Sequence, residues 1–327
     1  MKAVLCKEWG PPEALVVEDV PSKAPAAGEV LVDVHAAGVN FPDTLIVQKK
    51  YQFQPELPFT PGGEVAGIVK AVGPGVTSCQ PGDRVMGSFT WGGFATEAIV
   101  QEERIVPIPD DMDFVTASAY VLAYGTSLHA LKDRATLSPG ETLLVLGASG
   151  GTGIAAIEIG KAMGARVIAA ASSASRLELC SRHGADACIN YVEEDLRERV
   201  KAISGGKGVD VIFDPVGGPY SEPAFRTLAW NGRHLVVGFA AGDIPRLPLN
   251  LPLLKGASVV GVFWGSFLRR NRQVAREHMN ALLELYRSGK VRPPVTQTFT
   301  LAEASLALRS VMDRRAMGKV VIDTRAS

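Results

Sequence analysis

Residues 143–165, LLVLGASGGTGIAAIEIGKAMGA, constrain this chain more than any other stretch. The apolar residues 143–146 read as a short buried strand. The turn Gly147-Ala148-Ser149-Gly150-Gly151-Thr152-Gly153 follows. Ile154, Ile157 and Met163 then recur at helical spacing until Gly164 closes the helix. Strand, glycine-rich turn and helix, in that order, form the unit that holds a dinucleotide pyrophosphate. Glycines let the backbone approach the phosphates, and the unpaired N–H groups of the helix start point at negative charge. With Ala148 in first place the turn reads AxGxxG, and an ordinary strand-to-helix turn looks the same. The pattern around it decides.

That pattern is regular. Strands read at 143–146, 166–171, 187–190, 209–216, 234–239 and 258–264, with helical segments at 151–163, 175–183, 193–204 and 220–230 between them. Gly164, Gly184, Gly205 and Gly232 stand where helices are expected to end. The strands are near-continuous apolar runs, as in a parallel sheet covered on both faces. Six strands with crossover helices predict an α/β, doubly wound Rossmann domain over residues 122–265. Ser149, Gly150, Gly151 and Thr152 then become cofactor-binding residues.

Residues 1–121 read differently. Short alternating strands broken by Gly and Pro (2–7, 15–19, 29–36, 64–72, 84–86 and 94–100) predict a compact, barrel-like β domain, with a short helix near 43–47. After 265, residues 269–289 read as one long helix with Val274, Met279, Leu282, Leu283 and Leu285 on its apolar face. Residues 301–315 read as another helix, and 318–322 as a closing strand.

Composition narrows the function. The 327 residues are 46% hydrophobic and 21% charged, with zero formal net charge. That balance speaks against a broad nucleic-acid or anionic-membrane footprint. No apolar run is long enough to span a bilayer, and the N-terminus MKAVLCKEWG lacks a signal-peptide core. Cys6, Cys79, Cys180 and Cys188 are scattered, as in a reducing compartment. A cytoplasmic protein is expected.

Cofactor choice rests on the end of the second Rossmann strand. NAD-binding versions carry an acidic residue there for the ribose 2′-hydroxyl. This chain reads Ala171-Ser172-Ser173, with Arg176 nearby. Hydroxyls plus a guanidinium suit a 2′-phosphate, so NADP(H) is favoured.

The pieces GVNFPDTLI (38–46), LPFTPGGEVAGIV (57–69), GDRV (82–85) and the glycine-rich turn together resemble the medium-chain dehydrogenase/reductase superfamily. The likeness is greatest to its zinc-free quinone oxidoreductase branch, the zeta-crystallin-like proteins, and covers nearly the whole chain. Zinc members place a Cys where this chain has Asn40, and a His where it has Gly63. Neither residue offers a zinc a good ligand, and no cysteine stands between 87 and 109 to build the second, structural site. No metal is expected.

The resemblance implies a discontinuous GroES-like catalytic domain (1–121 and 266–327), with the Rossmann domain inserted and the active site in the cleft between them. It puts Tyr191 near the adenosine phosphate, Phe239 and Phe263 at the nicotinamide end, and Lys319 among the cofactor-binding residues. Asn40, Asp43 and Tyr51, with Thr126 from the domain junction, are the cleft candidates. Asn40 holds either the nicotinamide ribose or the substrate carbonyl. Tyr51 donates to the developing oxyanion, and Asp43 orients these groups or caps the short helix. A homodimer joined through the sixth Rossmann strand is also implied. The expected activity is NADPH-dependent reduction of quinones or other activated carbonyl compounds. Alternatives are an enone or 2-enoyl thioester (acyl-CoA) reductase, or a non-catalytic NADPH-binding structural or RNA-associated protein.

Overall fold

The computed structural model describes residues 1–326, which divide into two compact units, 1–122 with 293–326 and Ala123–Arg292. In the first unit, Lys2–Leu5 pairs antiparallel with Val16–Asp19. The main sheet of this unit is built on the strand Glu29–Val39. It pairs antiparallel with Glu64–Val72, Glu97–Gln101 and the tail strand Lys319–Asp323. Val30, Val32, Val34, Val65, Phe94 and Val320 fill the core beneath it. The short helix Phe41–Ile46 leaves the end of this central strand.

The second unit holds six parallel strands. In spatial order they are Ala187–Asn190, Arg166–Ala171, Thr142–Leu146, Val209–Asp214, Leu228–Val236 and Ser258–Gly261. This is the doubly wound six-stranded sheet expected from the alternation. The order reverses beside Thr142–Leu146, the kind of place where such sheets bind ligands. Among the described residues no helix is long and apolar enough to cross a membrane.

Several details differ from the expectations. The second boundary falls after Arg292 and not at 265, so the helix of 272–287 belongs to the nucleotide-type unit. It buries Ala275, His278, Met279, Leu282, Leu283 and Tyr286, a continuous stripe that includes the small Ala275 and the polar His278. Val274, expected on that face, is 39% exposed. The expected single helix of 269–289 is two, Trp264–Arg270 and Arg272–Arg287, broken where Asn271 leaves the helical region at φ −133°, ψ 51°. The helix expected at 220–230 stops at Phe225, where the Thr227 hydroxyl donates to the Ala224 carbonyl. Gly232 therefore lies inside a strand, and Asn231 takes the left-handed conformation, with φ 60°.

Glu158, inside the glycine-turn helix Gly151–Ala162, is 7% exposed. Its carboxylate accepts from Tyr124 Oη at 2.6 Å and from the Arg292 N–H at 3.1 Å, and pairs with His183 Nδ1 at 2.7 Å. One side chain thus fastens three distant segments. Glu158→Ala removes the carboxylate that these three segments share and is expected to cost about 3 kcal/mol. The urea midpoint should fall by that energy divided by m, with m unchanged and Glu158→Gln falling less.

Candidate cofactor and active site residues

The second unit carries the cofactor-type residues. Gly147, at φ 56°, turns the chain out of its strand, and Gly150 caps the helix Gly151–Ala162. A Cβ on Gly153 would lie 2.6 Å from the carbonyl oxygens of both Gly147 and Ala148, so only glycine allows the helix this close. A Cβ on Gly150 would meet nothing nearer than the Gly147 oxygen at 3.4 Å. The space outside Gly150 is therefore open, and the first N–H groups of the helix face it. Ser127 Oγ donates to the Thr152 carbonyl at 2.9 Å, tying the helix of the buried Thr126 to this turn.

Arg176 Nη1 donates to Ser149 Oγ at 3.0 Å. This joins the glycine-rich turn to the helix that starts after Ser172 and Ser173, two candidates that sequence distance keeps apart. Ser172 is exposed and Ser173 is the helix N-cap. Tyr191 packs on Tyr220 with ring centroids 4.6 Å apart. Phe239 lies over the loop after Val209–Asp214, where a Cβ on Gly217 would come 2.8 Å from its ring. Phe263 is 44% exposed, directly before the helix Trp264–Arg270.

The first unit gathers Asn40, Asp43 and Lys319 around Glu64, which is fully buried and is not among the expected site residues. Lys319 Nζ donates to Asn40 Oδ1 at 2.6 Å and to Glu64 Oε2 at 3.2 Å. Asn40 Nδ2 donates to the same Glu64 oxygen at 3.0 Å and to the Gly38 carbonyl at 3.3 Å. Glu64 Oε1 accepts the Leu122 N–H at 2.9 Å. These partners fix which way the Asn40 amide points. Asp43 Oδ2 accepts the Asn40 N–H at 2.8 Å. Asn40 is the helix N-cap and Asp43 the third helical residue, so Asp43 acts one turn inside the cap. Tyr51 lies in a separate apolar cluster with Cys6, Ile46, Val47 and Phe59.

Two carboxyl groups and one ammonium share this dry cluster. Burial, with Glu64 close by, pushes the Asp43 carboxyl up to about 7, against the pull of the Asn40 N–H and Lys319. One missed constellation lies in the second unit. Asp214 accepts from Ser221 Oγ at 2.5 Å and pairs with His234 Nε2 at 3.1 Å. The serine and histidine meet the carboxylate rather than each other, so this is no nucleophilic triad. The residues are spread over 20 positions, and nothing local in the sequence marks them as partners.

Residues 26–110 match the family described as alcohol dehydrogenase GroES-like domain, and residues 151–285 the one described as zinc-binding dehydrogenase. A quinone oxidoreductase-like protein 2 homolog of Nematostella vectensis is 39% identical over 99% of this chain and 89% of its own. The quinone oxidoreductase of Rattus norvegicus is 34% identical over 98% of this chain and 97% of its own. The solved structure of Escherichia coli quinone oxidoreductase complexed with NADPH superposes with a TM-score of 0.92 at 30% identity, covering 99% of this chain and 100% of that one.

Asp43 yields a pH prediction. Its folded value, about 7, lies above the ordinary 3.8, so the folded chain binds this proton more tightly than the unfolded chain does. The stability this contributes is full below the unfolded value and is lost as pH rises through about 7. Asp43→Asn removes the dependence. Urea unfolding at about pH 5 and about pH 8 should show wild type losing stability relative to the variant as pH rises, by on the order of 1.4 kcal/mol for each pH unit between about 5 and about 7.

Proposed function

The chain belongs to the quinone oxidoreductases of the medium-chain dehydrogenase/reductase superfamily, and from that premise we propose an NADPH-dependent reductase of quinones and related activated carbonyl compounds that needs no metal. The observation that carries the reading is the cradle at Gly147–Gly153, open in front of a helix start and backed by Ser149 and Arg176. A phosphate fits it: the helix N–H groups and the guanidinium are donors, and no carboxylate ends the strand Arg166–Ala171 to repel a 2′-phosphate.

Ser149, Gly150, Gly151 and Thr152 hold the pyrophosphate in this reading. Ser172 and Arg176 hold the 2′-phosphate, Tyr191 flanks the adenosine end, and Thr126, Phe239 and Phe263 line the nicotinamide end. Bound NADPH supplies a hydride from its nicotinamide ring. The chain's own task is to orient, to exclude water and to stabilise charge on the acceptor oxygen.

The Asn40 cluster sharpens one role. Both Nδ2 hydrogens are spent on Glu64 and Gly38, and Oδ1 keeps one lone pair beyond the Lys319 contact. Asn40 therefore accepts from a ribose hydroxyl rather than donating to a substrate carbonyl. Lys319 holds that amide in place, and its ammonium puts a fixed positive charge beside it. Tyr51 is the proposed donor to the developing oxyanion, and Asp43 orients Asn40 through its backbone N–H. Position 63 supports the metal-free reading, since a Cβ on Gly63 would come 2.9 Å from the Phe89 carbonyl and leave a ligand side chain no room.

A second copy of this chain is the proposed partner. The strand Ser258–Gly261 is the sheet edge, with Val259 50% exposed, and Leu253 (79%) and Leu254 (69%) are exposed on the helix Asn250–Lys255 that precedes it in the chain. Sedimentation of Val259→Lys against wild type tests this; a wild-type monomer overturns it.

An NADPH-consumption screen over quinones, enones and 2-enoyl thioesters tests the substrate class. Turnover confined to the thioesters replaces the quinone reading, and RNA binding without turnover on any acceptor removes the enzyme reading. NADPH should bind at least tenfold tighter than NADH, about 1.4 kcal/mol. Gly150→Val should fold yet lose the cofactor, read by calorimetric titration beside thermal melting, because its side chain enters the open space and meets little of the protein.

A further inference from the structure

Thr126 and Phe263, the two residues placed together at the nicotinamide end, lie on segments far apart in the chain. One contact joins those segments. Thr126 directly follows Gly125 in the helix Val121–Leu128, and Phe263 directly precedes Trp264. A Cβ on Gly125 would lie 2.5 Å from Trp264 Cζ2, 2.7 Å from its Cε2 and 3.2 Å from Met279 Cε. The indole therefore rests on bare helix backbone.

This seat is unfavourable on two local counts. Gly125 lies inside its helix, where alanine is the more stable residue. Trp264 is 5% exposed, and its Nε1 is buried with no hydrogen-bond partner among the described residues. A phenylalanine would fill much of the same space without the unmade bond. Stability alone accounts for neither residue. Both follow if the full width of the indole has to lie close against this helix.

The segment that carries Trp264 is fastened on both sides of it. Before it, Arg134 Nε donates to the Gly261 carbonyl at 3.0 Å. After it, the Phe267 ring stacks on His129 with centroids 4.0 Å apart and on His278 at 5.6 Å. Asp133 lies between the two imidazoles, Oδ2 2.7 Å from His129 Nδ1 and Oδ1 3.3 Å from His278 Nε2. His129, Asp133 and Arg134 belong to the π-helical stretch His129–Arg134, which continues directly from Leu128. Such turns are rare and recur at functional sites. The helix of Gly125 and its continuation thus grip residues 261–267 at three points.

We propose that Gly125 and Trp264 are positioning residues for hydride transfer: the seat of the indole on the Gly125 backbone sets the separation of Thr126 and Phe263, and with it the place of the nicotinamide ring. This rests on the reading that puts those two residues at the nicotinamide end. Carbon atoms in contact sit about 3.5–4 Å apart, so a methyl group at position 125 displaces the indole by about 1 Å. A misplacement of about that size costs on the order of 100-fold in rate. Affinity changes far less, because in the same reading the phosphates are held elsewhere, at the glycine-rich turn and Arg176.

Gly125→Ala, Trp264→Phe and the double variant are compared with wild type as full chains, with thermal melting to show which are folded at the assay temperature. Calorimetric titration gives the NADPH Kd, the fluorescence of bound NADPH reports the surroundings of its nicotinamide without any acceptor, and 1,4-benzoquinone gives kcat. Gly125→Ala should lower kcat at least tenfold and shift the emission of the bound cofactor, with Kd changed less than threefold. Trp264→Phe should lower kcat at least threefold at the same Kd. The double variant, whose narrower ring makes room for the methyl group, should return to within threefold of wild-type kcat and regain the wild-type emission. If Gly125→Ala melts below the assay temperature, the other two variants decide; if 1,4-benzoquinone is not turned over, the emission decides. Wild-type kcat and emission in a folded single variant overturns the proposal. A loss that the double variant does not relieve also overturns it and marks the contact as packing only. Thr126→Ala and Phe263→Ala separate the two possible failures. If both leave kcat, Kd and emission unchanged, the nicotinamide reading falls and the proposal with it. If they alter these while the Gly125 and Trp264 variants do not, the proposal alone falls.

Discussion

The contact on which the second unit depends is that of Gly153 with the backbone of Gly147 and Ala148, where a Cβ would come within 2.6 Å of two carbonyl oxygens. Any side chain there pushes the helix Gly151–Ala162 away from the strand Thr142–Leu146. The strand is wholly apolar in its buried part, and the helix buries eight of its residues, so the two must pack closely. Close packing leaves no room for a side chain at Gly153. In front of Gly150 the space is open, and the first N–H groups of the helix face it. The anion cradle is thus a consequence of how the helix is seated, with Ser149 and Arg176 supplying the polar wall.

Buried carboxylates perform a second kind of fastening. Asp214 holds the loop after its own strand through the Val216 and Gly217 N–H groups, and reaches the neighbouring strand through His234. Glu158 binds a helix, the end of the next helix and the last residue of its unit. Each of these acids is surrounded by donors from different segments, which meets the cost of burying it. Asp43 is the exception. It shares a cluster in which Lys319 already pairs with Glu64, and burial, helped by the charge of Glu64, retains its proton toward neutrality.

How legible this was follows from distance along the chain. The six parallel strands were readable because each is a local apolar run and each is followed by a helix. The turn at Gly147 was readable for the same reason. The helix Arg272–Arg287 was misplaced because its inward stripe includes Ala275 and His278, and hydropathy alone shifted the face toward Val274 and Leu285. Gly232 misled because an Asn, one residue earlier, took the left-handed turn. The Asn40 and Lys319 candidates rest on resemblance, and nothing local marks Glu64 as their joint partner. Lys319 and Glu64 are 255 residues apart, and no local pattern announces a contact that only the sheet order creates.

Sheet order also explains why that cluster is so restrictive. Glu29–Val39 is flanked on one side by the strand that begins with Glu64 and on the other by the strand that begins with Lys319. Asn40 follows directly on the end of the strand between them. The three side chains are brought together by register, with no loop to adjust them. A Cβ on Gly38 would come 2.0 Å from the Ser118 carbonyl and 2.9 Å from the Glu64 carboxylate, so the backbone is crowded at the same point. An amide held there by an ammonium on its oxygen and a carboxylate on its nitrogen cannot flip without breaking both contacts. Its donors are spent inside the protein, and its one remaining capacity is as an acceptor. At position 40 the fold thus presents an amide fixed at both its ends, and its hydrogen-bonding partners are set by the same sheet order.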